Sequence, residues 1–179
     1  MDSTIRVKDK DFRVFIKADE IDTAVQSIAD SINRDTQDEN PLFLILLNGA
    51  FVFAADLLRK VNVESTLSFV KLSSYSGTQS TQVVRELIGL NESIEGRSVV
   101  VVEDIVDTGN TLKALLELLH QHKAKKVRIA ALLYKPEVFR GGFDIDYVGL
   151  AIPNDFIVGY GLDYDGYARN LPDIYKIAE

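Results

Sequence analysis

The chain has 179 residues, 46% of them hydrophobic, with no cysteine, two histidines and a formal net charge of −7. That length suits one domain able to bury a sizeable core without disulfides or metals, and the lack of cysteine excludes disulfide frameworks, thiol nucleophiles and Cys-ligated zinc. The acidic balance opposes a nucleic-acid backbone as partner and leaves open only a local patch such as Lys123, Lys125 and Lys126. His120 and His122 fall on a polar helix end and read as solvated, which speaks against a histidine metal site. With no leader-like start and no apolar run near eighteen residues, a soluble cytoplasmic protein without a membrane partner is expected.

Within residues 1–17, Phe12, Val14 and Ile16 alternate and read as a short strand or an arm. From Asp19 an amphipathic helix begins, its apolar stripe made by Ile21, Ala24, Val25, Ile28, Ala29 and Ile32; it ends in the polar connection from Asn33 to Pro41. Leu42 to Leu47 is an unbroken apolar run, a strand buried on both faces, and it enters Asn48-Gly49-Ala50 before Val52, Phe53, Ala54, Leu57 and Leu58 start a second helix. Glu64 to Leu72 is β-rich. Ser73 to Gln82 carries neither charge nor aliphatic anchor and reads as a long mobile hairpin, with Val83 to Leu87 as the returning strand.

Val99 to Val102 predicts a central strand, expected to end abruptly at Glu103-Asp104. The turn Asp107-Thr108-Gly109-Asn110-Thr111 follows, and Leu112, Leu115, Leu116 and Leu119 then fall at helical spacing. A polar turn between the carboxyl end of a strand and the start of a helix is where open α/β sheets bind ligands. Backbone N–H groups around Gly109, the hydroxyls of Thr108 and Thr111 and the positive end of the helix suit a phosphate; Glu103 and Asp104 suit ribose hydroxyls or a hydrated Mg²⁺. On these residues alone a solvated, capped connection is also consistent. Asp-Thr-Gly also occurs in aspartic proteases, but those are all-β and no helix follows there. Val127 to Leu133 is a fourth strand pattern, and Lys135 after it is either on the ligand side of the sheet or a snorkelling surface lysine. The short Gly-, Pro- and Tyr-punctuated strands from Asp144 to Glu179 predict a small β hood. The fold class is α/β, a mostly parallel central sheet flanked by helices. One domain, 1–179, is expected, with a core of about 18–143 and a hood of about 144–179 joined by the N-terminal arm 1–17.

The stretch from Val99 to Thr111 resembles the phosphoribosyl pyrophosphate (PRPP) signature of type I phosphoribosyltransferases: a hydrophobic strand, Glu-Asp, two apolar residues and Asp-Thr-Gly-x-Thr. By that resemblance Glu103 and Asp104 hold the ribose hydroxyls. Asp107, Thr108, Gly109, Asn110 and Thr111 wrap the 5′-phosphate, and Asp107, beside purine N7, is the general base. Leu47-Asn48-Gly49-Ala50 is similar to the family's pyrophosphate loop, with Asn48 where some members have lysine; a plain tight turn at Gly49 would read the same. Ser74-Tyr75 resembles the pair in the loop that closes over the site of hypoxanthine-guanine phosphoribosyltransferases. Asp155 to Tyr164 with Arg169 to Pro172 closely resembles a segment of the same family. That resemblance implies that Phe156 stacks on the purine, the backbone of Ile157 meets its edge, Lys135 reads its 6-position and Arg169 reaches the pyrophosphate. Asp163 would help Glu103 and Asp104 hold Mg²⁺. The expected protein is thus a type I phosphoribosyltransferase fold making IMP or GMP from PRPP and hypoxanthine or guanine, as a homo-oligomer, dimer or tetramer. The alternative is a PRPP- or nucleotide-sensing regulator on the same fold, of the RNA-binding attenuator type; the acidic balance and the match around Phe156 speak against it.

Overall fold

The computed structural model describes residues 4–75, 83–88 and 93–178. In chain order the elements are β1 (Thr4–Val7), β2 (Lys10–Ile16), α1 (Ala18–Asp35), β3 (Leu42–Leu46), α2 (Phe51–Lys60), β4 (Thr66–Tyr75) and β5 (Val83–Ile88). They continue with β6 (Ser98–Val106), α3 (Asn110–Gln121), β7 (Lys126–Tyr134), β8 (Tyr147–Ala151), β9 (Ile157–Val158) and β10 (Ile174–Ile177). Six strands form the main sheet in the order β5-β4-β3-β6-β7-β8; all are parallel except β5, which returns antiparallel beside β4.

The four consecutive valines explain why β6 lies in the middle. Each is fully buried, and they alternate between faces: Val100 and Val102 pack with α1 and α2, Val99 and Val101 with α3. A strand that must bury both faces fits only inside a sheet covered on both sides, and each such side chain contributes about 1.5–3 kcal/mol relative to exposure. β3 follows the same rule, with Phe43 and Ile45 on the α1/α2 side and Leu42, Leu44 and Leu46 on the other. A second, four-stranded antiparallel sheet, β1-β2-β10-β9, joins the two ends of the chain around Phe12.

Three segments differ from the sequence reading. β6 does not stop at the acids but runs on to Val106, because Glu103, Ile105 and Val106 stay in register with Ala131, Leu133 and Tyr134 of β7. β4 likewise continues through Ser73, Ser74 and Tyr75, whose backbone pairs with Arg85, Val84 and Val83; the rest of the expected hairpin, 76–82, lies outside the described residues. The stretch after Asp144 is divided rather than wholly in the hood. β8 adds to the outer edge of β7, where Tyr147 packs into the α1 cluster and the missing side chain of Gly149 leaves room for the Leu132 carbonyl. Covering that edge satisfies a row of backbone groups that β7 would otherwise expose.

At the amino ends of β6 and β7 the Arg128 guanidinium is almost fully buried and forked onto Glu39, with Nη1 to Oε2 at 2.5 Å and Nη2 to Oε1 at 2.7 Å. Ser98 Oγ donates to the same carboxylate, and Nη2 also donates to the Asp35 carbonyl. The guanidinium and the serine hydroxyl hold the Glu39 carboxyl down at about 2, below its usual 4.5. This network ties the end of α1 to the sheet on the side away from the strands' carboxyl ends. Among the described residues no helix is long and apolar enough to cross a membrane.

Candidate active site

The carboxyl ends of β3, β6 and β7 open on one side of the sheet, and the segments that leave them meet the antiparallel sheet there. From β3 the chain turns at once through Leu47, Asn48, Gly49 and Ala50 into α2; the Leu47–Asn48 peptide is cis. Gly49 faces Asp104: a Cβ at Gly49 would lie 2.6 Å from Asp104 Cγ and closer still to Oδ2. Gly161 closes on the same loop, since its own Cβ would collide with the Gly49 carbonyl oxygen, and its φ of +96° suits glycine alone. Three stretches far apart in sequence therefore meet around Gly49, the Asp104 side chain on one side of it and the Gly161 backbone on the other.

Burial dominates the electrostatics of the acid pair. It drives the Glu103 carboxyl well above its ordinary value, with the Asp104 charge adding to the rise. Asp104 is pushed up to about 6, again chiefly by burial, although its Oδ1 accepts the Ile105 N–H at 2.9 Å and Arg169 offsets part of the rise. Arg169 Nη1 donates to the Gly161 carbonyl at 2.6 Å, and Nη2 pairs with Asp163 Oδ1 at 2.7 Å. The other Asp163 oxygen accepts the Gly166 N–H at 2.6 Å. Two adjacent half-buried carboxylates, one of them (Asp104) close to a guanidinium and a backbone-lined loop, make a place that gains from an incoming cation or from hydroxyl donors.

Beyond Val106 the turn exposes Asp107, Thr108, Asn110 and Thr111 while Gly109 is buried. Gly109 is the N-cap of α3, with φ +87°, and offers no side-chain cap; only a long 3.5 Å bond from the Asn110 N–H to Thr108 Oγ1 reaches the helix start. A Cβ there would lie 2.7 Å from Phe139 Cε2 and 3.2 Å from Gly141 Cα, so the loop after β7 supports the turn from behind. The N–H groups of the first helical turn and the dipole behind them are the kind of feature that can hold an anion without a lysine. Asp107 Oδ2 lies 3.9 Å from Lys135 Nζ.

Lys135 is no snorkelling surface residue, being only 7% exposed. Its ammonium donates to Asn154 Oδ1 at 3.1 Å and to the Asp155 carbonyl at 2.9 Å. Phe156, the next residue, is 47% exposed and rests edge-on against Tyr164, with Phe12 behind. Ile157 is buried in β9 and pairs with Lys176 of β10. Of the sequence candidates, Leu47, Asn48, Gly49, Glu103, Asp104, Asp107 to Thr111, Lys135, Phe156, Ile157, Asp163 and Arg169 thus all fall at this end of the sheet or on the hood segment facing it. Ser74 and Tyr75 stand at the end of β4, two strands from β6. Sequence reasoning missed Gly161, Asn154 and the bond from Tyr160 Oη to Asp56 Oδ2, 2.6 Å, that ties the hood to α2. Gly161 lies inside the Asp155–Tyr164 stretch, whose resemblance singles out Phe156, Ile157 and Asp163 instead, and no local pattern marks the other two.

The family model for the phosphoribosyl transferase domain matches residues 17–165. A hypoxanthine-guanine phosphoribosyltransferase of Bacillus subtilis is 39% identical over 163 residues, covering 90% of this chain and 91% of that protein. A bifunctional protein TilS/HprT of Listeria monocytogenes is 41% identical over 163 residues; that match takes in 90% of this chain, which spans about a quarter of the bifunctional protein's length, 25%. The crystal structure of a hypoxanthine phosphoribosyltransferase from Staphylococcus aureus superposes with a TM-score of 0.87 at 35% identity, over 92% of this chain and 90% of that one.

Proposed function

The chain belongs to the phosphoribosyltransferase family, and on that premise we propose that it transfers the 5-phosphoribosyl group of PRPP to hypoxanthine or guanine, giving IMP or GMP and pyrophosphate. This is a purine salvage reaction. The observation that carries the choice of base is the buried Lys135 ammonium, 3.9 Å from Asp107 and bonded to the backbone one residue before the open Phe156 ring. A fixed donor, a base and a stacking face stand together beside an anion-binding turn.

In this reading Asp107 to Thr111 and the start of α3 hold the 5′-phosphate, and Glu103 and Asp104 take the ribose hydroxyls. The Leu47-Asn48-Gly49 backbone and Arg169 receive the pyrophosphate. Phe156 stacks on the purine, the Ile157 backbone meets its edge, and Lys135 donates to its 6-oxygen. As the bond from C1′ to the pyrophosphate oxygen breaks and a ring nitrogen bonds to C1′, Asp107 accepts the proton that the purine loses. Fixed donors around the leaving group stabilise the charge that develops on it. Ser74 and Tyr75 belong to a segment that closes over the site and excludes water from a cation-like ribosyl centre.

Mg²⁺ fits the donor set. Glu103, Asp104 and Asp163 offer hard oxygens, and among the described residues no group of three or more metal-ligating side chains could hold an ion alone. An ion here would be held through one or two of these carboxylates, with water and substrate phosphates completing its shell. When bound, it neutralises the diphosphate charge. The test is pyrophosphate release with PRPP, Mg²⁺ and each purine in turn. Turnover with hypoxanthine or guanine and little with adenine is expected; equal use of adenine, or no release with any base, would refute the assignment.

A further inference from the structure

We propose that Asn154 is a specificity-determining positioning residue: its amide oxygen aims the Lys135 ammonium at the base and keeps that ammonium off Asp107. The proposal rests on the purine reading given above and assigns a role to a side chain outside it.

An ammonium has three N–H donors and no acceptor. Two of those on Lys135 are engaged, one by Asn154 Oδ1 at 3.1 Å and one by the Asp155 carbonyl at 2.9 Å. Two fixed directions around a tetrahedral nitrogen determine the third, so the remaining donor cannot rotate freely. Because lysine only donates, the oxygen and not the nitrogen of the Asn154 amide must face it, which settles the orientation of that amide. Among the described residues the nearest anion is Asp107, whose Oδ2 stands 3.9 Å away, in ion-pair range yet too far for a hydrogen bond. Held by the Asp155 carbonyl alone, the ammonium would be free to swing onto Asp107. It would then spend its free donor there and occupy the oxygen that takes the purine proton.

The neutral character of Asn154 matters as well. Asp155 beside it is a carboxylate, but that group faces away and pairs with Lys176 Nζ at 3.3 Å, which in turn lies over the Phe15 ring. The two acceptors that reach Lys135 from this loop are therefore an amide and a peptide carbonyl, and its charge stays available to the oxygen of a 6-oxopurine. Asn154 is itself exposed and fills no core space. Its replacement should change the direction of Lys135 rather than the fold.

The experiment is steady-state pyrophosphate release with hypoxanthine, adenine and unsubstituted purine at saturating PRPP, for wild type, Asn154→Ala and Asn154→Asp. For Asn154→Ala, the hypoxanthine KM should rise roughly tenfold, the value of one aimed hydrogen bond to a charged donor. The preference for hypoxanthine over adenine should narrow by a similar factor, while the PRPP KM and the parameters for unsubstituted purine stay within about twofold. Asn154→Asp keeps an oxygen in place but makes it a charged acceptor that competes for the ammonium, so its hypoxanthine KM should fall between those of Asn154→Ala and wild type. A wild type that turns over hypoxanthine while Asn154→Ala retains both KM and preference overturns the role of Asn154 alone. Equal losses with hypoxanthine and unsubstituted purine overturn it too, since they mark a merely structural residue. A wild type with no turnover overturns the purine reading and this role with it.

Discussion

Adding one methyl group at Gly49 tests the packing on which the site depends. Gly49 is not among the glycines with positive φ, so alanine is allowed by the backbone and the cost of Gly49→Ala is contact alone. The new carbon would lie 2.6 Å from Asp104 Cγ, about 1 Å inside ordinary carbon contact. Neither neighbour can retreat easily. Asp104 is fastened to the Ile105 N–H, and Gly161 presses on the Gly49 carbonyl from the other side. Overpacking of this kind costs about 1–3 kcal/mol, and in a chain of this size each kcal/mol lowers Tm by roughly 2–4 °C. A shift of about 1 Å in the carboxylate should lower kcat/KM by on the order of 100-fold.

Asp104→Ala should have the opposite sign in stability. Burial moves the Asp104 carboxyl from its usual 3.8 to about 6. At about 1.36 kcal/mol per pH unit this is about 3 kcal/mol, and partial exposure reduces it to about 1–2 kcal/mol. Because the folded value lies above the unfolded one, this destabilisation is absent below 3.8 and complete above about 6. The variant should therefore be more stable than wild type at pH 7, no more stable near pH 3.5, and inactive. Gly49→Ala combined with Asp104→Ala relieves the clash, so the double-mutant cycle should show at least about 1 kcal/mol of coupling. Urea unfolding followed by circular dichroism at pH 7 measures all four proteins. A wild-type midpoint for Gly49→Ala, or coupling within about 0.5 kcal/mol of zero, would refute the contact between loop and acid.

Asp107→Asn keeps the shape of the turn and removes its base, so kcat should fall by roughly 10²–10⁴-fold with PRPP binding little changed; a loss below tenfold in pyrophosphate release rules out the role. Lys135→Met removes a charged donor to the 6-oxygen and should lower kcat/KM for hypoxanthine by roughly ten- to a hundredfold while narrowing discrimination against adenine; unchanged hypoxanthine kinetics would reject it. The Glu39–Arg128 pair should contribute to acid resistance, since its carboxyl titrates at about 2 in the folded chain against a usual 4.5. That stability is fully present above about 4.5, is lost as pH falls towards about 2, and amounts to roughly 2 kcal/mol after screening. A Glu39→Gln variant whose urea midpoint falls with pH as steeply as that of wild type between 5 and 2.5, values chosen to span roughly that window, would show that the pair does not carry it.

Much of this molecule was legible before any coordinate, because burial patterns are local. Four valines at 99–102 and six apolar residues at 42–47 can satisfy neither face in water, and leucines spaced from 112 to 119 can form only one stripe. The turn Asp107 to Thr111 was readable as the join between strand and helix, since a glycine and polar residues separate the valine run from the leucine stripe; its use for a phosphate rests on the family resemblance. The ends of β4 and β6 were not. Polar residues such as Glu103, Asp104 and Ser73 remain in a strand only when a neighbouring strand offers backbone partners, and the pairing with β7 and β5 is a property of the sheet. Tertiary structure alone decided that Gly49, Asp104 and Gly161 touch, that Tyr147 to Ala151 belongs to the main sheet, and that Asn154 faces Lys135. Each of those contacts joins residues nineteen or more positions apart, or pairs whole strands. No periodicity within one segment encodes them; they exist once the two sheets and three helices have closed on a common core.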